Sequence, residues 1–139
     1  MAQETKELVL QDICERLLYG LHVRIYNHWT DSFEDEILSV DNIGEILRDF
    51  PIEDIKPYLR PMSSMTDEER QEAREKFFNG SDHYDIDDIG EIYADTYQPY
   101  TTVYTLSFAR LSGYIDWLNE HHLDFRGLIK MELALEDLE

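Results

Sequence analysis

Cysteine is almost missing from this chain: Cys14 stands alone among 139 residues. No internal disulfide can staple the fold, and a reduced, intracellular setting is the expectation. Basic residues are scarce as well, with 12 Lys and Arg against 31 Asp and Glu for a formal net charge of −19. That balance argues against direct nucleic-acid binding, or binding to anionic lipid, through a cationic surface. No apolar run approaches the roughly 20 residues that span a bilayer. The opening Met1 to Glu7 has neither the basic nor the apolar region of a secretory signal, so no membrane partner and a cytoplasmic location are expected. Phosphate-cradling glycine loops and nucleophile elbows are absent too, and the sequence implies no cofactor, no metal and no catalytic residue.

What is present is acid, unevenly spread. From Asp31 to Asp54 there are nine carboxylates and one arginine, whereas Thr96 to Ala109 carries no charge. Solubility explains part of this, and complementarity to a basic protein partner is the functional alternative.

The local patterns predict an α+β fold: a small antiparallel sheet of about three to five strands packed with three or so helices in a single domain. Residues 1–60 should hold a helix and the sheet, 61–80 a connector and a helix, and 81–139 an acidic loop, a strand, an aromatic helix and a C-terminal corner. Val9, Ile13 and Leu17 repeat at helical spacing from Glu4 to Tyr19, with Leu10, Cys14 and Leu18 beside them and Gly20 as the stop. Cys14 reads as a small core residue. Leu21, Val23, Ile25 and Trp29 then alternate with His22, Arg24, Tyr26 and His28, the period of a strand with one buried face. Asn27 falls on the buried side and marks the strand's end or a bulge. His22 and His28 stand about 20 Å apart at strand rise, too far for one metal.

Thr30 to Glu36 reads as a hairpin loop, with a second strand through Ile37, Leu38 and Val40 and a third from Ile46 to Phe50. Three prolines at 51, 57 and 61 forbid a regular internal strand and allow one helical turn from Pro51 to Ile55. Tyr58, Leu59 and Met62 should pin this connector to the body. Thr66 with Glu69 forms a capping box that starts a helix from Asp67 to about Asn79, while Ser63 and Ser64 read as turn residues. Asp85, Asp87 and Gly90 imitate the first half of a calcium loop, but Ile89 and Thr96 stand where ligands are required. An acidic loop leading into a strand near Ile89 to Ala94 fits better, followed by a strand from Tyr100 to Leu106.

The densest group of large side chains lies from Tyr114 to Leu128. A helix beginning at Ser107 or Ser112 and ending near His121 or His122 should bury most of the apolar material on two neighbouring faces, Ile115 with Leu118 and Tyr114 with Trp117 and His121. Asp124, Phe125, Arg126 and Gly127 then read as a turn that carries Phe125 back onto that helix, with Gly127 at positive φ. Arg126 can pair locally with Asp124. Trp117, His121, His122, Asp124, Phe125, Arg126 and Gly127 are therefore the candidate structural or interaction corner, and Tyr58, Arg60, Met62, Ser63 and Ser64 the candidate connector. Residues 128–138 mix periods and should give a short helical turn and a packed tail, frayed over its last four residues.

Two stretches, Ile-Lys-Pro-Tyr-Leu-Arg-Pro-Met-Ser-Ser-Met-Thr at 55–66 and Ile-Asp-Trp-Leu-Asn-Glu-His-His-Leu-Asp-Phe-Arg-Gly-Leu-Ile at 115–129, are similar to the signature segments of a family of small uncharacterised proteins from gut anaerobic bacteria and their phages or prophages. The resemblance implies a mobile-element origin and carries no activity, cofactor or site residue with it. Met131 and Glu132 depart from the family, where glycine tends to stand near the second position.

Three functions follow as expectations. The first is a phage- or prophage-related accessory protein that binds a protein partner, basic by charge complementarity, through its acidic surface. The second is a DNA mimic that inhibits a restriction or defence enzyme, and the third a metal-dependent enzyme built on His121, His122 and Asp124.

Overall fold

A computed structural model describes residues 1–78, 84–86, 92–94 and 108–137. The architecture is α+β, with four helices and a four-stranded sheet. The chain divides into two compact units, Met1–Pro61 with Asn119–Glu139, and Met62–Leu118.

In the first unit, helix α1 (Gln3–Arg16) ends in a 3-10 turn (Leu17–Tyr19), and Gly20 takes φ +69° to turn the chain into β1 (Leu21–Asn27). Val9, Ile13 and Leu17 are buried as their spacing requires, against Leu21, Val23 and Ile25 of β1. Leu10, Cys14 and Leu18 are exposed. Cys14 is thus not a core residue, because the buried stripe continues through Asp12 and Arg16 instead. Trp29 does not belong to the buried face either. β1 stops at Asn27, whose side-chain oxygen accepts the N–H groups of Trp29 and Thr30 at 2.9 and 3.3 Å and turns the chain outward. Trp29 is left 84% exposed.

β2 (Ser32–Leu38) pairs antiparallel with β1 from Asn27↔Ser32 to Leu21↔Leu38. Most of the expected hairpin loop is therefore strand, and Val40 lies beyond it, exposed. The predicted third strand is a helix, α2 (Ile43–Asp49). Ile43, Ile46, Leu47 and Phe50 pack on the core at i, i+3, i+4, i+7, a helical spacing.

The proline connector also differs from expectation. After a 3-10 turn at Ile52–Asp54 it forms β3 (Ile55–Leu59), an internal strand between β1 and a short C-terminal strand at Leu135–Glu136. Pro57 is tolerated because the parallel pairing with β6 (Leu135–Glu136) begins only at Tyr58, so the ladder on that side does not run past the missing N–H. Ile55, Pro57 and Leu59 face inward. The expected fraying of 136 and 137 is corrected as well. Glu136 pairs with Leu59, and the Asp137 N–H donates to the Leu59 carbonyl at 2.7 Å.

The second unit holds a 3-10 turn (Met62–Ser64), α3 (Asp67–Phe77), β4 (Tyr84–Ile86), β5 (Ile92–Ala94) and most of α4 (Phe108–Glu120). The capping box at α3 is complete, with Thr66 Oγ accepting from Glu69 N at 3.1 Å and Glu69 Oε1 from Thr66 N at 3.0 Å. α4 runs straight through Gly113. A Cβ there would stand 2.8 Å from Phe77 Cε1, so glycine permits the close approach of the Phe77 ring. Tyr114 packs edge-on to Phe78 at 5.2 Å and stacks near Trp117 at 6.2 Å. β4 pairs antiparallel with β5. The strand expected over 100–106 and most of the calcium-like loop over 85–96 lie outside the described residues.

Candidate functional site

The predicted corner is held by α1. Asp12 and Arg16 are fully buried within the α1 stripe 9, 12, 13, 16, 17, and their pairing offsets part of the cost of two buried charges, while Arg16 Nη1 stays buried without a hydrogen-bond partner among the described residues. Arg16 Nε and Nη2 donate to Asp12 Oδ2 and Oδ1 at 3.1 and 3.0 Å, and Nη2 also reaches the Leu123 carbonyl at 2.8 Å. Arg126 Nη1 donates to Asp12 Oδ1 at 2.5 Å while its Nη2 contacts Glu15 Oε2. The expected Arg126–Asp124 pair therefore does not form. Asp124 accepts the N–H groups of Leu128 and Ile129 at 2.8 and 2.9 Å, closing the turn around Gly127 at φ +77°. Phe125 lies beneath the guanidinium groups of Arg126 at 4.2 Å and of Arg16, from α1, at 5.7 Å.

The connector and the corner meet. Arg60 N–H donates to the His122 carbonyl and Asp124 N–H to the Arg60 carbonyl, both at 2.8 Å, framing a parallel bridge between Arg60 and Leu123. The segments 55–66 and 115–129 are thus joined through backbone. Of the other connector residues, Tyr58 and Met62 are half-buried, and Ser63 and Ser64 are exposed on a turn.

His122 lies outside α4, at φ +54°, so the two histidines do not sit side by side on a helix. Its Nδ1 is buried without a hydrogen-bond partner. Burial, then the nearby Arg16 charge, lowers its pKa below the ordinary histidine value, while a bond to the Tyr19 backbone and the Asp12 and Asp137 charges oppose this. His121 is half-buried, and Trp117 is buried. Among the described residues no group of three or more His, Cys, Asp or Glu side chains is placed to hold a metal ion. At the corner, Asp124 and Arg126 are engaged in internal bonds, as are Asp12 and Arg16 of α1.

The outward face of the β1–β2 hairpin is different. Cross-strand pairs His22↔Ile37, Arg24↔Asp35 and Tyr26↔Phe33 share it, and Phe33 and Ile37 are 59% and 62% exposed. Arg24 lies over the Phe33 ring at 4.1 Å, and Tyr26 meets the rings of Phe33 and His28 edge-on at 5.3 and 4.6 Å. From β3, Tyr58 joins this face by donating to Asp35 Oδ1 at 3.0 Å. Its phenol pKa is raised by burial and then by that bond. β2 forms one edge of the sheet and carries Glu34, Asp35 and Glu36 in succession.

At the hairpin's end, a pocket of about 220 Å³ is lined by His28, Trp29, Asp49, Phe50, Pro51 and Asp54. His28 Nε2 lies 2.8 Å from Asp54 Oδ2. The alternation of His22, Arg24, Tyr26 and His28 made the outer face of β1 readable in the sequence. Placing Phe33 and Ile37 with it required knowing which residues β2 pairs. No family model, no curated protein and no solved structure matches this chain, so the functional reading rests on the geometry of the hairpin face and its pocket.

Proposed function

We propose that this is a non-enzymatic accessory protein that binds a protein partner through the outer face and free edge of the β1–β2 hairpin. The observation that carries this reading is the pair Phe33 and Ile37, both exposed on the outward face with Asp35 between them. Large apolar side chains gathered on one rim at these exposures mark a recognition surface more often than scattered ones do. Three consecutive carboxylates on the edge strand repel a second copy of the same edge and favour a basic strand or loop. The resemblance of 55–66 and 115–129 to proteins of gut anaerobes and their phages adds a phage- or prophage-related setting, with the protein acting in the cytoplasm.

The DNA-mimic alternative asks for carboxylates in a continuous row, whereas Asp35 shares its face with Phe33 and Ile37. A metal-dependent enzyme at His121, His122 and Asp124 meets a carboxylate already engaged by two backbone N–H groups. Retention of host proteins by the wild-type chain and by the Phe33→Ser, Ile37→Ser variant, at low and high salt, tests the proposal. A partner kept by the wild type, lost by the variant and weakened by salt is expected. Equal retention by both proteins would remove the hairpin from the account.

A further inference from the structure

We infer that the pocket at the end of the hairpin is a receptor for one cationic side chain, arginine or lysine, of the partner polypeptide. The inference rests on the interaction reading above and adds where the partner's charge is received. Three independent features converge there. Trp29 and Phe50 supply aromatic surface, and Trp29 is 84% exposed, an orientation with no folding benefit because it leaves a large apolar side chain in water. Asp49 and Asp54 supply two carboxylates within the same lining. The pocket is also small, about 220 Å³, below the range of drug-sized ligand sites and of a size for one side chain.

A cation over an aromatic face gains from the ring quadrupole, most strongly with Trp. A carboxylate beside that ring adds a charge-assisted hydrogen bond. The chain's formal charge of −19 favours the approach of such a group. Two internal contacts compete for these carboxylates. Arg48 Nε reaches Asp49 Oδ1 at 3.3 Å with its side chain 71% exposed, a solvated neighbour contact that an incoming cation can displace. His28 bonds Asp54 from a 66% exposed position, and one carboxylate accepts several donors, so that bond can persist beside the ligand.

The test uses the full chain labelled with 15N and titrated with acetyl-Gly-Arg-Gly amide, acetyl-Gly-Lys-Gly amide and the citrulline peptide as the uncharged isostere of arginine. The two tryptophan indole N–H signals are assigned with Trp29→Phe. Saturable shifts at the Trp29 indole and at the amides of 49–54 are expected with a cationic peptide, with at least tenfold weaker binding of the citrulline peptide. Asp49→Asn with Asp54→Asn should weaken the cationic peptides about as much. Trp29→Leu, a change at an exposed position that leaves the core intact, should weaken them several-fold. Equal shifts with citrulline, binding indifferent to Trp29→Leu, or shifts that rise without saturation would overturn the inference. Retention of a partner through Phe33 and Ile37 is read separately, so a failed pocket and a failed interaction surface give different results.

Discussion

Asp124 carries the C-terminal turn on one carboxylate. Its two oxygens accept from consecutive backbone N–H groups, Leu128 and Ile129, and the residue is 8% exposed. Asp124→Ala leaves both donors unsatisfied in a dry site and should cost about 2–3 kcal/mol in urea unfolding. Asp124→Asn keeps one acceptor and should cost roughly half as much. A loss below about 0.5 kcal/mol for the alanine variant would show that water replaces the carboxylate. Glu132 raises a second point at this scale, because it adopts φ +62° without being glycine. Left-handed backbone disfavours L-residues by about 1–2 kcal/mol, and glycine returns part of that gain as entropy of the unfolded chain. Glu132→Gly should therefore stabilise by up to about 1 kcal/mol, whereas Glu132→Ala, still strained, should not.

Among the elements, α1 does the most. The Asp12–Arg16 pair lies fully buried on its inner stripe and meets Arg126 and the Leu123 carbonyl from the corner. Removing one partner strands the other: Asp12→Ala should destabilise by about 3–5 kcal/mol. Asp12→Leu combined with Arg16→Met removes both charges and should be less destabilising than the single change. Additive losses in the double variant would show that packing, rather than charge pairing, governs the clasp.

Legibility in the sequence followed the same divide. The stripe 9, 13, 17 of α1, the alternation of β1, the capping box at Thr66 and the positive φ of Gly127 were all readable, because each depends on neighbours within a turn or a strand. Asp12 and Arg16 were missed although their spacing from Val9 and Ile13 put them on the buried face. Charge suggested solvent, and only Arg126, 114 residues along from Asp12, completes the pairing. The helix at 43–49 was hidden by the apolar run Ile46, Leu47, Phe50, which fits two periods. The internal strand at 55–59 was hidden by Pro57, whose missing donor matters only if the neighbouring ladder runs past it. That the segments 55–66 and 115–129 touch through Arg60 and Leu123 was not legible at all.

For the whole molecule, pH and charge set the behaviour. His122 has its pKa lowered in the fold by burial and by Arg16, so the unfolded chain binds its proton more readily. Its contribution to stability is present above the ordinary histidine pKa of about 6.5 and is lost as pH falls below it towards the depressed folded value. His122→Asn tolerates the left-handed backbone and removes the titration. Between about pH 7 and pH 5 the wild type should lose more thermal stability than this variant. Parallel pH profiles would assign the acid sensitivity to other groups.

The formal charge of −19 acts over longer distances, through a field that would draw the proposed basic partner towards the hairpin face. The most direct check on that central claim is amide hydrogen exchange of the chain, free and bound to its retained partner. Slowed exchange over 28–38 and 49–54, with little change over 119–129, is the expected result. Protection confined to the 119–129 clasp, with the hairpin exchanging as in the free chain, would contradict it.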